Sequence, residues 1–257
     1  MVDAKAAFND GAAYERFMGR WSRAVGAVFL EWLAPPKGAQ WLDVGCGTGA
    51  FTELVLGSCS PANVMGIDPF PEQKGTPEDS YQIMRSVKKQ LGKIGVHKPF
   101  WNNEINYGVA GGGDTTTTKY SVDKQQSFVI RTFVLSAAAK MQRTYWLGWF
   151  SRDTMAVKMA DSSGEALPPG KSYTVVRSWL NGTNFQGCKQ KKGLWTCTAT
   201  KGKETRRIYW KAKGRATIKT PSSTRRVENQ EGGVNSRRVS HKRLRVDYRP
   251  VMVASRR

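Results

Sequence analysis

Trp41-Leu42-Asp43-Val44-Gly45-Cys46-Gly47-Thr48-Gly49 is the stretch on which the reading of this chain turns. Gln40 to Val44 is mostly apolar and reads as a short strand, Gly45 to Gly49 as a turn, and Ala50 to Leu56 as the start of a helix. The order carries the meaning. Alternate glycines let the backbone turn sharply and approach a ligand with no side chain in the way, and the helix N-terminus that follows aims unpaired N–H groups at the same place. Nineteen residues after Gly49, at the end of a second apolar strand from Val64 to Ile67, stands Asp68, placed to accept hydrogen bonds from ribose hydroxyls.

Working outward, Tyr14, Phe17, Trp21, Val25, Val28, Phe29 and Trp32 recur at helical spacing, which predicts an amphipathic helix whose apolar face packs on something. Pro35-Pro36-Lys37-Gly38 ends it, because proline lacks a donor and restricts its neighbour. After Asp68 the character changes: Pro69, Pro71, Gly75 and Pro77 mark a junction. Thr76-Pro77-Glu78-Asp79 then has the signature of a helix start, with a cap, proline at the first helical position and acids in the first turn. A strand from Lys98 to Tyr107, a glycine- and threonine-rich loop, a very apolar helix from Gln125 to Met141 and a strand from Arg143 to Phe150 come next. A helix from Ser172 to Leu180 leads into short strands near Leu194 to Thr200, Arg206 to Lys211, Arg215 to Lys219, Leu244 to Tyr248 and Val251 to Ala254.

The string Asp43-Val44-Gly45-Cys46-Gly47-Thr48-Gly49 closely resembles the first motif of class I S-adenosylmethionine-dependent methyltransferases. That resemblance covers about residues 1–73 and implies a Rossmann-like βαβ opening. It implies S-adenosyl-L-methionine as cofactor, with Gly45, Gly47 and Gly49 lining its methionine and ribose portion. Asp43 would contact the methionine amino group and Asp68 would hold the ribose.

From Thr76 onward the chain resembles something else. Trp101-Asn102-Asn103-Glu104-Ile105-Asn106-Tyr107 ends a strand with a carboxylate among amides and aromatic rings, the groups a sugar site needs. The next strand, Thr144 to Phe150, delivers tryptophans at its C-terminal end, where (β/α)8 barrels place their active residues. The segment resembles the last third of a clan A glycoside hydrolase barrel. On that resemblance Glu104 matches the nucleophile, Trp101 and Asn103 contact substrate, Trp146 is the aromatic platform, and the β tail matches the small sandwich that comes after such barrels. The earlier barrel strands, including the one with the acid/base glutamate, have no counterpart.

The fold class expected is therefore α/β: a partial Rossmann-like opening, partial (β/α) barrel elements and a C-terminal antiparallel β region. The segments are 1–73, 74–180 and 181–257. The leading functional reading is a methyltransferase-like protein that moves a methyl group from S-adenosylmethionine to an acceptor the sequence does not name; the alternatives are a glycoside hydrolase remnant and a non-enzymatic fusion of two truncated pieces.

Composition bounds these readings. Lys201 to Arg257 holds 18 Lys and Arg against 4 Asp and Glu, which is +14 of the formal +21. Such a stretch attracts nucleic acid non-specifically, but it has few interleaved aromatics and no reader motif. No apolar run is long enough for a membrane span and no signal peptide is visible, so a cytoplasmic location is expected. Cys188 and Cys197 flank the Gly193-Leu194-Trp195 turn and suit a short-range disulfide if this part came from an exported ancestor, but are expected reduced in the cytoplasm. Cys46 and Cys59 read as small buried thiols, His97 and His241 are solitary, and no metal site is expected. Asn181-Gly182-Thr183 reads as a surface turn.

Overall fold

The computed structural model describes residues 19–44, 46, 49–67, 75–93, 95, 99–108, 119–150, 155–235 and 243–256. The chain divides into two compact units. The first is Met1–Gln73 with Ala110–Thr117, and the second is Lys74–Val109 with Thr118–Arg257.

In the first unit, α1 (Arg20–Leu33) leads to β1 (Gln40–Val44), α2 (Ala50–Ser58) and β2 (Asn63–Ile67). β1 and β2 are parallel, paired from Gln40↔Asn63 to Val44↔Ile67, as the βαβ reading requires. α1 stops at Ala34, which turns left-handed at φ 44° and returns its N–H to the Leu30 carbonyl before the two prolines. Leu30, Val55 and Cys59 form the core, with Trp41, Phe51, Leu54 and Val64 against them. The helices meet at Gly26, where an added Cβ would lie 2.8 Å from Phe51 and 2.9 Å from Leu54. The expectation that the whole apolar face of α1 is covered does not hold. Trp21, Val25, Val28 and Trp32 stay exposed, because the packed stripe is the narrower one through Gly26 and Leu30.

The second unit begins with α3 (Pro77–Lys93). Its cap is reciprocal: Asp79 N–H donates to the Thr76 hydroxyl at 3.4 Å, and the Asp79 carboxylate accepts from Thr76 N–H at 2.8 Å. β3 (Trp101–Ile105) and β4 (Arg143–Trp146) form a parallel pair joined through α4 (Val122–Ala138), and α5 (Pro168–Leu180) comes after them. α4 is capped by Ser121 and buried along most of its length, as its apolar composition predicts. β5 (Asn184–Lys191), β6 (Leu194–Lys201), β7 (Glu204–Lys211), β9 (Thr224–Glu228), β10 (Val234–Asn235) and β12 (Val251–Arg256) make one antiparallel sheet in the order β10-β9-β12-β7-β6-β5. β8 (Ala216–Lys219) and β11 (Arg243–Val246) form a separate ribbon.

Strand alternation gives the sheet two apolar faces. Trp195, Cys197, Ile208, Trp210, Met252 and Ala254 meet Tyr81, Met84, Ile130, Val134 and Trp179 of the three helices. Tyr209, Val227 and Val253 meet Ile218 and Val246 of the ribbon. Three strands escape the sequence reading, namely β5, β9 and β10, and β3 and β4 are shorter than expected. Of the two states expected for Cys188 and Cys197, the structure has the disulfide rather than the reduced pair expected in the cytoplasm. The cause is pairing, since they stand directly opposite each other on β5 and β6. Among the described residues no helix is long and apolar enough to cross a membrane.

A partly buried carboxylate on α3 ties the helical layer to the sheet. Glu78 Oε1 accepts from Arg131 Nε at 2.8 Å and from Trp210 Nε1 at 2.7 Å, and its other oxygen also binds the Arg131 guanidinium. Arg131 is 3% exposed. Replacing Glu78 by Ala strands that cation and should lower unfolding free energy by about 3–5 kcal/mol. A urea midpoint for Glu78→Ala within a fraction of a molar of the parent would contradict this.

Candidate functional site

β3 and β4 pair through Trp101↔Arg143 and Asn102↔Thr144, then again at Ile105↔Trp146. Two residues of β3, Asn103 and Glu104, therefore oppose the single Tyr145 of β4. This is a β-bulge, a device that interrupts the ladder and re-aims a side chain. Glu104 sits in it, its N–H 3.3 Å from the Asn102 side-chain oxygen. Its side chain is exposed, and its carboxylate makes no hydrogen bond or ion pair with any described residue.

The two faces of the pair differ. On one, Ile105 is buried and Trp146 packs beside it, its ring 6.2 Å from Phe133 and 6.1 Å from Tyr107. On the other, Trp101 is 54% and Tyr145 44% exposed. The Arg143 guanidinium lies 4.5 Å over the Trp101 ring and donates to the Tyr145 hydroxyl at 3.1 Å, while Trp101 Nε1 donates to Gln142 at 2.7 Å. Glu104 thus neighbours an ordered aromatic and cationic surface. The sequence reading named Trp101 but missed Arg143 and Tyr145. Their alternation with Thr144 and Trp146 was the available signal.

Both strands run on into rigid backbone. Asn106 is fully buried, donates to the carbonyls of Leu147 at 2.8 Å and Val157 at 3.1 Å, and accepts from Tyr107 N–H at 2.6 Å. The Tyr107 hydroxyl accepts from Thr132 at 3.0 Å and lies 3.3 Å from the Ser80 hydroxyl. Burial pushes its pKa well above the ordinary 10.0. Gly148 turns left-handed at φ 65°, and a Cβ there would lie 2.2 Å from the Met155 sulfur, so no other residue fits the corner after β4 without displacing Met155.

In the first unit the corner after β1 leads directly into α2. Gly49 caps the helix at φ 90° and donates to the Cys46 carbonyl at 2.8 Å. Asp43, half-buried at the end of β1, accepts from the Thr52 hydroxyl at 2.7 Å. Part of its capacity therefore serves the corner itself, a partner that the sequence reading did not foresee. Gly45, Gly47, Asp68 and the side chain of Asn103 lie outside the described residues. No group of acids, histidines or cysteines among the described residues could hold a metal.

No protein-family model matches the chain, and no curated protein matches it in sequence. Solved structures do. A family 39 glycoside hydrolase from the gut symbiont Bacteroides cellulosilyticus WH2 matches with a TM-score of 0.59 and 17% identity, covering 82% of this chain and 49% of that one. A GH30 endoxylanase from Clostridium papyrosolvens C71 matches at 0.47 and 9%, covering 72% and 47%. The chain spans about half the length of these hydrolases. The first likeness shows the fold: an α/β architecture of the (β/α)-barrel-like glycoside hydrolase kind, with parallel pairs and an antiparallel sheet. The first match bears out a hydrolase-like fold and lends no support to a methyl-donor segment.

The buried phenol makes the site's floor sensitive to alkali. Below pH 10 Tyr107 is neutral whether the chain is folded or not, and its contribution to stability is fully present. As pH rises past 10 the unfolded phenol ionises while the buried one does not, so stability falls. Tyr107→Phe should lose about 1 kcal/mol at neutral pH from its hydrogen bonds and show a shallower alkaline decline. Denaturation midpoints at pH 7 and 11 check both, and an unchanged slope would refute the assignment.

Proposed function

We propose that the second unit is the carbohydrate-handling end of a glycoside hydrolase, with a saccharide as its ligand and Glu104 as the carboxylate that meets the anomeric carbon. The observation that carries the reading is the bulge. It holds an unengaged carboxylate at the C-terminal end of a parallel strand, beside exposed Trp101 and Tyr145, in a fold of the hydrolase kind. Aromatic faces suit the apolar side of a sugar ring, and Arg143 adds donors for its hydroxyls.

Retaining hydrolysis uses two carboxyl groups about 5 Å apart, one attacking and one protonating the departing oxygen. Among the described acids of this unit, Glu78 pairs with Arg131, Glu204 with Arg206, Glu228 with Arg226 and Asp247 with Arg249. Acting as nucleophile alone, Glu104 would attack glycosides whose leaving group needs no proton, giving a glycosyl ester that water removes slowly. A dinitrophenyl glycoside should release a burst approaching one equivalent of phenolate per chain, and azide should speed later turnover by intercepting the ester. Glu104→Gln should abolish the burst. A burst that survives this substitution, or no release over background, removes the reading.

A second reading is favoured by the corner after β1, where Gly49 turns left-handed into α2 beside Asp43 in a parallel pair. S-adenosylmethionine, which brings an already activated methyl group, would be gripped there by backbone N–H groups and Asp43, and positioning would supply most of the rate. Calorimetry with S-adenosylhomocysteine should give measurable heat, reduced about tenfold in affinity by Asp43→Asn. Absence of heat from the parent chain ends this reading.

A further inference from the structure

The outward side of the C-terminal β region is cationic, and its charges are placed by strand register. On the β8–β11 ribbon Lys219 stands opposite Arg243 and Thr217 opposite Arg245. All four are exposed and alternate with Ile218, Ala216, Leu244 and Val246, which face the sheet, so they project outward as three cations and one hydroxyl.

A groove opens beyond each end of β8. One, of about 630 Å3, is lined by Arg207, Tyr209, Lys219, Thr220, Pro221 and Ser222. The other, of about 270 Å3, is lined by Arg215, Arg245, Val246, Asp247 and Arg249. Asp247 is the single acid in either lining, and Arg249 grips it through two hydrogen bonds of 3.1 and 2.7 Å, which holds its carboxyl below the usual carboxylate range. Arg215 and Arg245 remain to give that groove its sign. The four residues of β8 separate the two grooves by about 13 Å at ~3.3 Å per residue.

We propose that this face binds an acidic polysaccharide, a glycan bearing carboxylate or sulfate groups along its length. Two cationic recesses joined by Lys219, Arg243, Arg245 and the Thr217 hydroxyl suit an extended chain that presents anions at intervals and hydroxyls between them. Nucleic acid suits the face less well. Single strands are held largely by bases stacking on exposed aromatic rings, and the aromatic in these grooves, Tyr209, is 8% exposed. A ribbon that reads duplex base edges must enter a groove of the DNA, whereas this one lies flat, its inner residues packed on Tyr209, Val227 and Val253. The inference does not depend on Glu104 or on any hydrolysis.

The test uses the full chain and measures dissociation constants, at one ionic strength, for polygalacturonate, dextran sulfate, fully methyl-esterified pectin, and single-stranded and duplex oligonucleotides of matched charge. Polygalacturonate or dextran sulfate should bind, with affinity falling as salt rises. Removing the carboxylate charges by esterification should abolish binding. Replacing Lys219, Arg243 and Arg245 together by Ala should weaken it on the order of tenfold. Arg243→Lys with Arg245→Lys should retain it, as should Arg85→Ala with Lys89→Ala on α3. Thermal melts confirm that each variant folds, and Lys219→Gln alone, a single change on the surface, should still weaken binding measurably. The proposal is overturned if neither acidic polymer binds, if esterified pectin or either oligonucleotide binds as tightly, or if the ribbon variants bind like the parent.

Discussion

The second unit depends on the carboxylate of Glu78. It lies in the first turn of α3, and its two oxygens receive the guanidinium of Arg131 from α4 and the indole N–H of Trp210 from β7. Three elements far apart in sequence thereby share one charge in a site with little water. Burying an arginine is costly unless its donors are met, so the arrangement tolerates few alternative packings of helix on sheet. Around it the apolar contacts fall into place: Trp195 stacks on Trp210 with ring centres 5.5 Å apart, and Tyr81 meets Trp195 edge-on.

That anchoring is what allows so short a parallel pair to hold a defined surface. β3 and β4 are only a few residues long, and two strands alone are marginal in water. Their inner side chains rest on α4 through Phe128, Val129 and Phe133, and Asn106 ties both strand ends to the segment around Val157. With the backbone so fixed, the bulge at Asn103 and Glu104 presents a carboxylate on the open side, in the strand whose Trp101 ring carries the Arg143 guanidinium.

How much of this was readable from residues alone depended on how local the cause was. The start of α3 is written in four consecutive residues, Thr76 to Asp79, and the structure has that cap. The buried helix α4 is announced by its own composition, and the end of β3 by Asn and Glu among aromatics. β5 is not announced, because Asn184 to Lys191 lacks apolar alternation and is bent by Gly187 at φ 110°; it is a strand only because β6 pairs with it. The bulge likewise exists only against Tyr145 of β4, and the Thr52 hydroxyl reaches Asp43 only once the corner has formed. The exposed apolar face of α1 shows the converse: helical spacing states which residues share a side, not how much of that side a neighbour covers.

The disulfide between Cys188 and Cys197 joins the outermost strand of the large sheet to the next one inward. A cross-link that closes so short a loop contributes roughly 2–3 kcal/mol, and it ties the edge strand to the buried layer that Cys197 shares with Trp195 and Trp210. Reducing agents would therefore loosen the border first: amides of β5 would begin to exchange with solvent while those of β7 and β12 stayed protected. Such a chain has a rim whose firmness tracks the thiol chemistry of its surroundings.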